Sequence, residues 1–325
     1  MNYALPIIKR EQAESSPWRT FGVLLKSIAA LSSQPKFRSP HLLAGILSRT
    51  GAGISAHFKI VRLFKDPVLA ETLHDNPRLA FKYLAGNYLV RDLPITIRAT
   101  CFLFHYERLR SILPVWLLRQ ALLSEIPLVE LCQKDLGFAI TMSLSRAGDT
   151  EGELSLNLVM NGQVVYTMGF SIVPGWVAQA SAREILLITR LQSTKGLHQE
   201  LSQASRALCH VSPIVLLMAA LQGVAGAFGI DTMACVSGAR QISYDEKFAE
   251  IFQRSYDDFF EQRGISPNSG GFFVTPFPLK EKSINDLNRE HKIRAVKRRA
   301  FRQKIQQACA DFFARNGLPT PSTEA

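Results

Sequence analysis

Leu154-Ser155-Leu156-Asn157-Leu158-Val159-Met160-Asn161-Gly162-Gln163-Val164-Val165-Tyr166-Thr167-Met168-Gly169-Phe170-Ser171-Ile172 decides the fold. Apolar and polar side chains alternate on both sides of Asn161-Gly162, the two-residue period of a half-buried strand. Asn-Gly supplies the two positive-φ positions of a tight turn, so the stretch predicts a β-hairpin. Upstream, Phe138-Ala139-Ile140-Thr141-Met142-Ser143-Leu144 repeats the alternation. Downstream, Glu184-Ile185-Leu186-Leu187-Ile188-Thr189-Arg190-Leu191-Gln192 is almost continuously apolar and predicts a central strand.

Farther out the period changes. Ser193-Thr194-Lys195-Gly196 leads into a long helical pattern from about Glu200 to Phe228, ended by Gly229. Thr232–Ser237 reads as a strand. Tyr244–Gln262 reads as a helix with an apolar stripe at Phe248, Ile251, Phe252, Tyr256, Phe259 and Phe260. Gly270–Val274 is a last short strand, and Ile284–Phe313 a final helix. In the other direction, residues 1–40 are broken by Pro6, Pro17, Pro35 and Pro40, with one short helical run at Trp18–Leu31. His41 to about Leu131 has helical spacing, cut by Pro67, Pro77, Pro94, Pro114 and Pro127, because proline disfavours helix at the residue before it. Gly223 and Gly226, inside the long helix, predict close packing on the sheet.

Composition narrows the classes of function. With 325 residues, 47% hydrophobic and 20% charged, the chain can bury a sizeable core. A formal charge of +11 points to an anionic partner. Cys101, Cys132, Cys209, Cys235 and Cys309 are scattered without a CxxC pair, which predicts reduced thiols and neither disulfide framework nor zinc site. Lys9, Arg10, Glu11 and Glu14 stand where a signal peptide needs an apolar run, and Val211–Ile230 is interrupted by Ser212, Pro213 and Gln222. Cytoplasmic location follows as an expectation, with any membrane contact peripheral. His198, His210 and His291 lack ligand spacing, so no metal is expected.

Several segments resemble landmarks of the VirK/YbjX family, an enteric-bacterial group tied to the cell envelope and virulence. They are Phe81-Lys82-Tyr83-Leu84 with Tyr88-Leu89, His105-Tyr106 with Leu109, Thr189-Arg190-Leu191-Gln192 with Lys195-Gly196, and Tyr256-Asp257-Asp258-Phe259-Phe260. Gly271-Phe272-Phe273 with Pro276 and Pro278, and Lys297-Arg298-Arg299, complete the set. The resemblance covers roughly residues 40–310 and implies an intracellular factor affecting virulence, envelope integrity, outer-membrane surface proteins or resistance to cationic antimicrobial peptides. It implies no catalytic mechanism.

The order of strands and helices after Phe138 is similar to the GNAT-type acyltransferase fold. That similarity implies a donor, acyl-CoA or acyl carrier protein, whose phosphates lie on the Gln192, Ser193, Thr194, Lys195 and Gly196 turn, where a helix N-terminus faces the anion. The turn departs from the usual acyltransferase loop, which is richer in glycine and arginine. Acyl transfer needs a base and an acid. Tyr256 is either the acid or a core aromatic of its stripe. Glu184 is either the base or a solvated carboxylate at a strand end. His105 and His210, in apolar surroundings, are either catalytic or hydrogen-bonded structure.

From Lys280 to Lys304 there are ten Lys/Arg against three Asp/Glu. Leu287, Ile293, Val296, Ala300, Phe301, Ile305, Ala308 and Phe312 recur near helical spacing, so the helix is expected to dock on the body. Lys297, Arg298, Arg299 and Arg302 then spread over the adjoining faces. These four suit an anionic membrane surface or a phosphorylated lipid; nucleic acid is the weaker match, because no recognition fold accompanies the charge. The whole predicts an α/β (α+β) chain: extension 1–40, helical region 41–135, mixed GNAT-like sheet region 136–280, basic helix 281–316 and free tail 317–325. Two functions compete, acyl transfer and a non-catalytic accessory role binding anionic lipid or an envelope client protein.

Overall fold

A computed structural model describes residues 54–145, 150–281 and 289–318. The predicted run Trp18–Leu31 and the start of the helical region at His41 lie outside them. The described chain opens with α1 (Ile54–Leu63), α2 (Pro67–Asp75), a 3-10 segment (Pro77–Leu84), α3 (Ile95–Ile112) and α4 (Val115–Leu123). Proline punctuates these helices as expected. At α2, Asp66 accepts from the Val68 and Leu69 amides at 3.1 and 3.4 Å, and Pro67 stands at the first helical position, where no amide is needed.

The helical region ends earlier than the sequence predicts. Glu125–Gln133 is a strand, β1, rather than helix. Ile126 and Leu128 are buried between exposed Glu125 and Pro127, the two-residue period of a strand. Pro127, which has no amide to donate, sits at a register shift in the pairing with β2. β2 (Leu136–Leu144), β3 (Leu154–Met160), β4 (Gln163–Pro174) and β5 (Glu184–Ser193) follow. Asn161 and Gly162 make the predicted hairpin turn at φ 49° and 79°.

After β5 the predicted single helix is two, α5 (His198–Ala207) and α6 (Pro213–Phe228). Cys209 and His210 take φ of 55° and 56° between them, and Pro213 starts the second helix. His210 is therefore exposed rather than set in apolar surroundings. β6 (Thr232–Val236) leads to α7 (Ala249–Phe252), a π-turn (Gln253–Asp257) and α8 (Asp258–Glu261), which follow without a break, so the helix expected over Tyr244–Gln262 is present from Ala249 and carries a π-bulge. β7 (Phe272–Pro276) and α9 (Arg289–Arg315) complete the order.

The sheet runs β1-β2-β3-β4-β5-β6-β7 in space. Every neighbouring pair is antiparallel except β5 and β6, which are parallel and joined by the α5–α6 crossover. Successive residues of β3 are buried, as are those of β5 from Ile185 to Thr189, so the middle of the sheet is covered on both faces. α3 lies against β4, α6 lies against β3 and β4, and α9 packs on α6.

α9 docks mainly by its second half. Ile305, Cys309 and Phe313 are buried, and the Phe313 ring meets Phe228 at 5.2 Å. Ile293 and Val296, expected in the docking stripe, are 51% and 48% exposed. Gly223 explains how closely the two helices approach: a Cβ there would run into the Gln306 carbonyl oxygen and lie 2.8 Å from Cys309 Cβ. The small residue thus serves contact with α9, where packing on the sheet was expected. Past α9, Gly317 at φ 88° turns the chain so that the Leu318 amide donates to the Phe313 carbonyl at 3.0 Å and Leu318 is buried. The expected free tail is held at its first residues.

Candidate functional site

β5 and β6 pair through Leu186–Met233, Leu187–Ala234 and Ile188–Cys235. Beyond Ile188, β5 stays with β4 as far as Ser193, whereas β6 stays with β7. The β4–β5 register shifts between Gly169 and Phe170, which face Arg190 and Ile188, so Thr189 is the extra residue. A bulge bends its strand and increases the local twist. Pairing between the two parallel strands stops where the bulge begins, one residue before β6 ends at Val236. Thr189 carries a buried hydroxyl with no hydrogen-bond partner among the described residues.

Tyr256 reaches β5 from the π-turn, beyond the last β5–β6 pair. Its ring is buried, and its hydroxyl oxygen accepts from the Leu191 amide at 3.2 Å. Burial pushes the Tyr256 hydroxyl well above the usual tyrosine range; the Leu191 bond opposes that, and Glu151, Cys235 and Tyr166 add to it. The neighbouring Asp257 accepts from the Gly238 amide at 2.7 Å, just past β6. The π-turn is thus tied to both strands.

The predicted anion-binding turn lies beyond. Gln192 is exposed and accepts from Arg190 Nε at 3.0 Å. Thr194 is committed to β4, its amide donating to Val165 O at 3.1 Å and its hydroxyl to Val164 O at 2.7 Å. Ser193 is half-buried, whereas Lys195 and Gly196 are exposed, Gly196 at φ 87°. No side chain caps α5, whose first residues follow Leu197 directly. The turn is open to solvent, and the Tyr256 hydroxyl meets the backbone between it and the paired part of the strands.

The other two predicted catalytic side chains are elsewhere. Glu184 opens β5 at the far end, about seven residues or roughly 23 Å of extended strand from Leu191. Arg108 holds it bidentately, Nε to Oε2 at 2.7 Å and Nη2 to Oε1 at 2.8 Å. His105 is fully buried on α3, and its Nδ1 accepts from the Ile172 amide at 3.0 Å. Burial, and then the nearby Lys82 charge, bring its pKa down to about 3, so it is neutral with the proton on Nε2. Tyr256, Glu184 and His105 do not form one site.

A carboxylate that sequence reasoning missed lies closer to Tyr256. Glu151 faces Arg190 Nε at 3.6 Å and is bonded by Gln241 Nε2 and, at 3.3 Å, by Ser243 Oγ. Its carbonyl oxygen lies where a Gly169 side chain would begin, which only the fold reveals. A second missed carboxylate, Glu153, is fully buried. It accepts from Tyr88 Oη at 2.7 Å and Tyr106 Oη at 2.5 Å, with Lys82 Nζ at 3.3 Å. Lys82 also donates to Gly152 O at 2.6 Å. Three residues that carry the family resemblance thus converge on one acid, sealed from solvent and joining the helical region to the sheet.

Of the predicted cationic residues, Lys297 and Arg298 are exposed on α9. Arg299 and Arg302 turn to Glu281, Nε to Oε2 at 3.0 Å and Nη2 to Oε1 at 2.5 Å. Arg298, Arg299 and Arg302 line a cleft of about 750 Å³ between α6, α8, α9 and the segment after β7. Among the described residues no helix is long and apolar enough to cross a membrane, and no group of three or more His, Cys, Asp or Glu is placed to hold a metal ion. No curated protein and no solved structure matches the chain. A family model described as a protein of unknown function, DUF535, matches residues 49–311, and the chain belongs to that family.

Proposed function

We propose that this chain is a GNAT-like acyltransferase that supports the cell envelope and virulence from the cytoplasm or the inner-membrane face. The donor is acyl-CoA or acyl carrier protein, and the acceptor an envelope precursor or protein. The envelope association comes from kinship, because the VirK/YbjX group is known by the same family designation. One observation supports the chemistry: the parallel strand pair is bonded through three residue pairs, and its pairing stops short of a solvent-exposed strand-to-helix turn. Amides at the start of α5, with Lys195, suit the donor's phosphates.

In this reading the acceptor's amine or hydroxyl attacks the thioester carbonyl, the C–S bond breaks, and the acceptor's proton ends on the departing thiolate. Tyr256, with its raised pKa, holds its proton and acts as a hydrogen-bond donor, since transfer to a thiol of ordinary pKa ~8.5 is uphill. Glu151, rather than the distant Glu184, is the carboxylate set to relay the proton. Donor entry requires the Tyr256 hydroxyl to release the Leu191 amide. Thermal denaturation with acyl-CoA tests the reading: at about 100 times Kd the native state gains ~2.7 kcal/mol, raising the melting temperature by several degrees. Lys195→Ala reduces the shift and Lys304→Ala leaves it. Absence of a shift with short- and long-chain acyl-CoA and with acyl carrier protein counts against it.

A second reading, an accessory protein on an anionic leaflet or an envelope client, is favoured by two exposed apolar side chains on α9. There Ile293 and Val296 stand exposed among Lys292, Arg294, Lys297 and Arg298. Salt-sensitive binding to anionic vesicles, lost on charge reversal at Lys297 and Arg298, is its test.

A further inference from the structure

The cleft between α6 and α9 is built differently from a solvated basic face. Its rim carries Lys280, Arg263, Arg298, Arg299 and Arg302, drawn from three parts of the chain, against Glu281. Val215, Met218 and Ala219 from α6, Phe259 from α8 and Leu279 give it an apolar stretch, beside Gln222, Gln262, Gln303 and Gln306. The Leu279 amide donates to Gln222 Oε1 at 2.8 Å, which fixes the segment after β7 against α6. A volume of about 750 Å³ falls in the range of small-molecule sites, which are mostly apolar with a few placed polar groups.

Arg263 is fixed before any ligand arrives. Its guanidinium lies 3.7 Å from the Phe259 ring centroid, and Nη1 donates to Phe259 O at 2.5 Å. Burial, then repulsion from Arg302, lower its pKa, and Glu281 acts in the opposite sense. Glu281 thus sits among cations that outnumber it, Arg302 Nη2 donating to both of its oxygens and Arg299 Nε to Oε2 alone. Its side chain remains 45% exposed, more than either arginine at 29% and 23%. A phosphomonoester carries about −1.5 to −2 charge and three acceptor oxygens, and arginine forks match that geometry. One carboxylate satisfies less of this rim than a phosphate would.

We propose that this cleft binds a phosphomonoester borne on an apolar chain, and that Glu281 is an internal stand-in for the phosphate, displaced when the ligand enters. The chain lies along the apolar stretch and the phosphate bridges Arg263, Arg299 and Arg302. This deepens the anionic-lipid reading by naming a site within the fold, and it is independent of acyl transfer. It also assigns separate tasks along α9: Lys297, outside the cleft, serves a surface, whereas Arg302 serves the cleft.

Isothermal titration of the full chain with monododecyl phosphate below its micellar concentration is the test, with inorganic phosphate and phosphatidylglycerol vesicles as separate arms. Dodecyl phosphate binds at least about tenfold tighter than inorganic phosphate, because inorganic phosphate leaves the apolar stretch uncovered. Arg302→Gln weakens dodecyl phosphate about tenfold or more, the loss of one charge-assisted bond. Glu281→Gln tightens it, since the competing carboxylate is gone, and Lys297→Gln leaves it unchanged. Were Glu281 only a clamp for the segment after β7, Glu281→Gln would weaken binding and lower the melting temperature, which overturns the proposal. Equal affinity for dodecyl and inorganic phosphate overturns the apolar part. Binding to vesicles alone, sensitive to Lys297→Gln and not to Arg302→Gln, replaces the cleft with a membrane surface.

Discussion

Gly223→Ala inverts the usual sign of a glycine replacement in a helix. Mid-helix, alanine in place of glycine stabilises by about 1 kcal/mol through backbone entropy. Here the new methyl group would run into the Gln306 carbonyl oxygen and lie 2.8 Å from Cys309 Cβ and 3.2 Å from the Ala310 amide nitrogen. Carbon atoms rest at about 3.5–4.0 Å, so α9 must withdraw by at least about 0.7 Å at Cys309 and by more at Gln306. Overpacking of this kind costs about 1–3 kcal/mol. Full detachment is bounded by re-exposing Ile305 and Phe313, each about 1.5–3 kcal/mol. The expected outcome is a net loss of up to about 2 kcal/mol in urea unfolding followed by circular dichroism, with an unchanged m-value. A gain of about 1 kcal/mol would show that helix propensity governs the position and that the α6–α9 contact is looser than described.

Three further outcomes follow from buried groups. Burial lowers His57 to about 4 and His105 to about 3, so both fold neutral; the unfolded chain binds more protons below its own pKa of about 6.5. Stability is full above pH 6.5 and falls with acidification, by about 2 kcal/mol per histidine at pH 5, and urea midpoints at pH 7.5 and 5.0 that coincide would refute this. Lys82→Met and Glu153→Ala each cost about 3–5 kcal/mol, because each strands the opposite charge, while the double variant loses well under the sum in a mutant cycle. Tyr256→Phe leaves the Leu191 amide without its acceptor, costs about 1–3 kcal/mol and accelerates hydrogen exchange at Leu191; unaltered exchange there would refute the bond.

The sheet was legible wherever its signal is local. The Asn161-Gly162 hairpin and the apolar run of β5 need no knowledge of what lies across from them. β1 was not legible, because Pro127 masks its alternation and only the register shift opposite β2 accommodates a residue without an amide. The break between α5 and α6 was hidden because Cys209 and His210 adopt positive φ without glycine. At the candidate site, the open turn at Lys195 could be read from its polar residues. Glu151 and Glu153 could not, since their partners Arg190, Gln241, Tyr88, Tyr106 and Lys82 come from segments far away in sequence. The paired reading of Glu184 as a base failed to foresee Arg108 for the same reason.

Glu153 also determines how the chain can be divided. Its ligands come from the 3-10 segment, the stretch before α3 and α3 itself, while its own amide faces Ser171 Oγ at 3.0 Å on β4. A polypeptide cut before β1 would bury the Glu153 carboxyl without its three partners, and the severed amino-terminal piece would bury Lys82 without its acid. Neither half is a self-sufficient folding unit. Truncation at the seam between helices and strands is therefore expected to unfold both pieces.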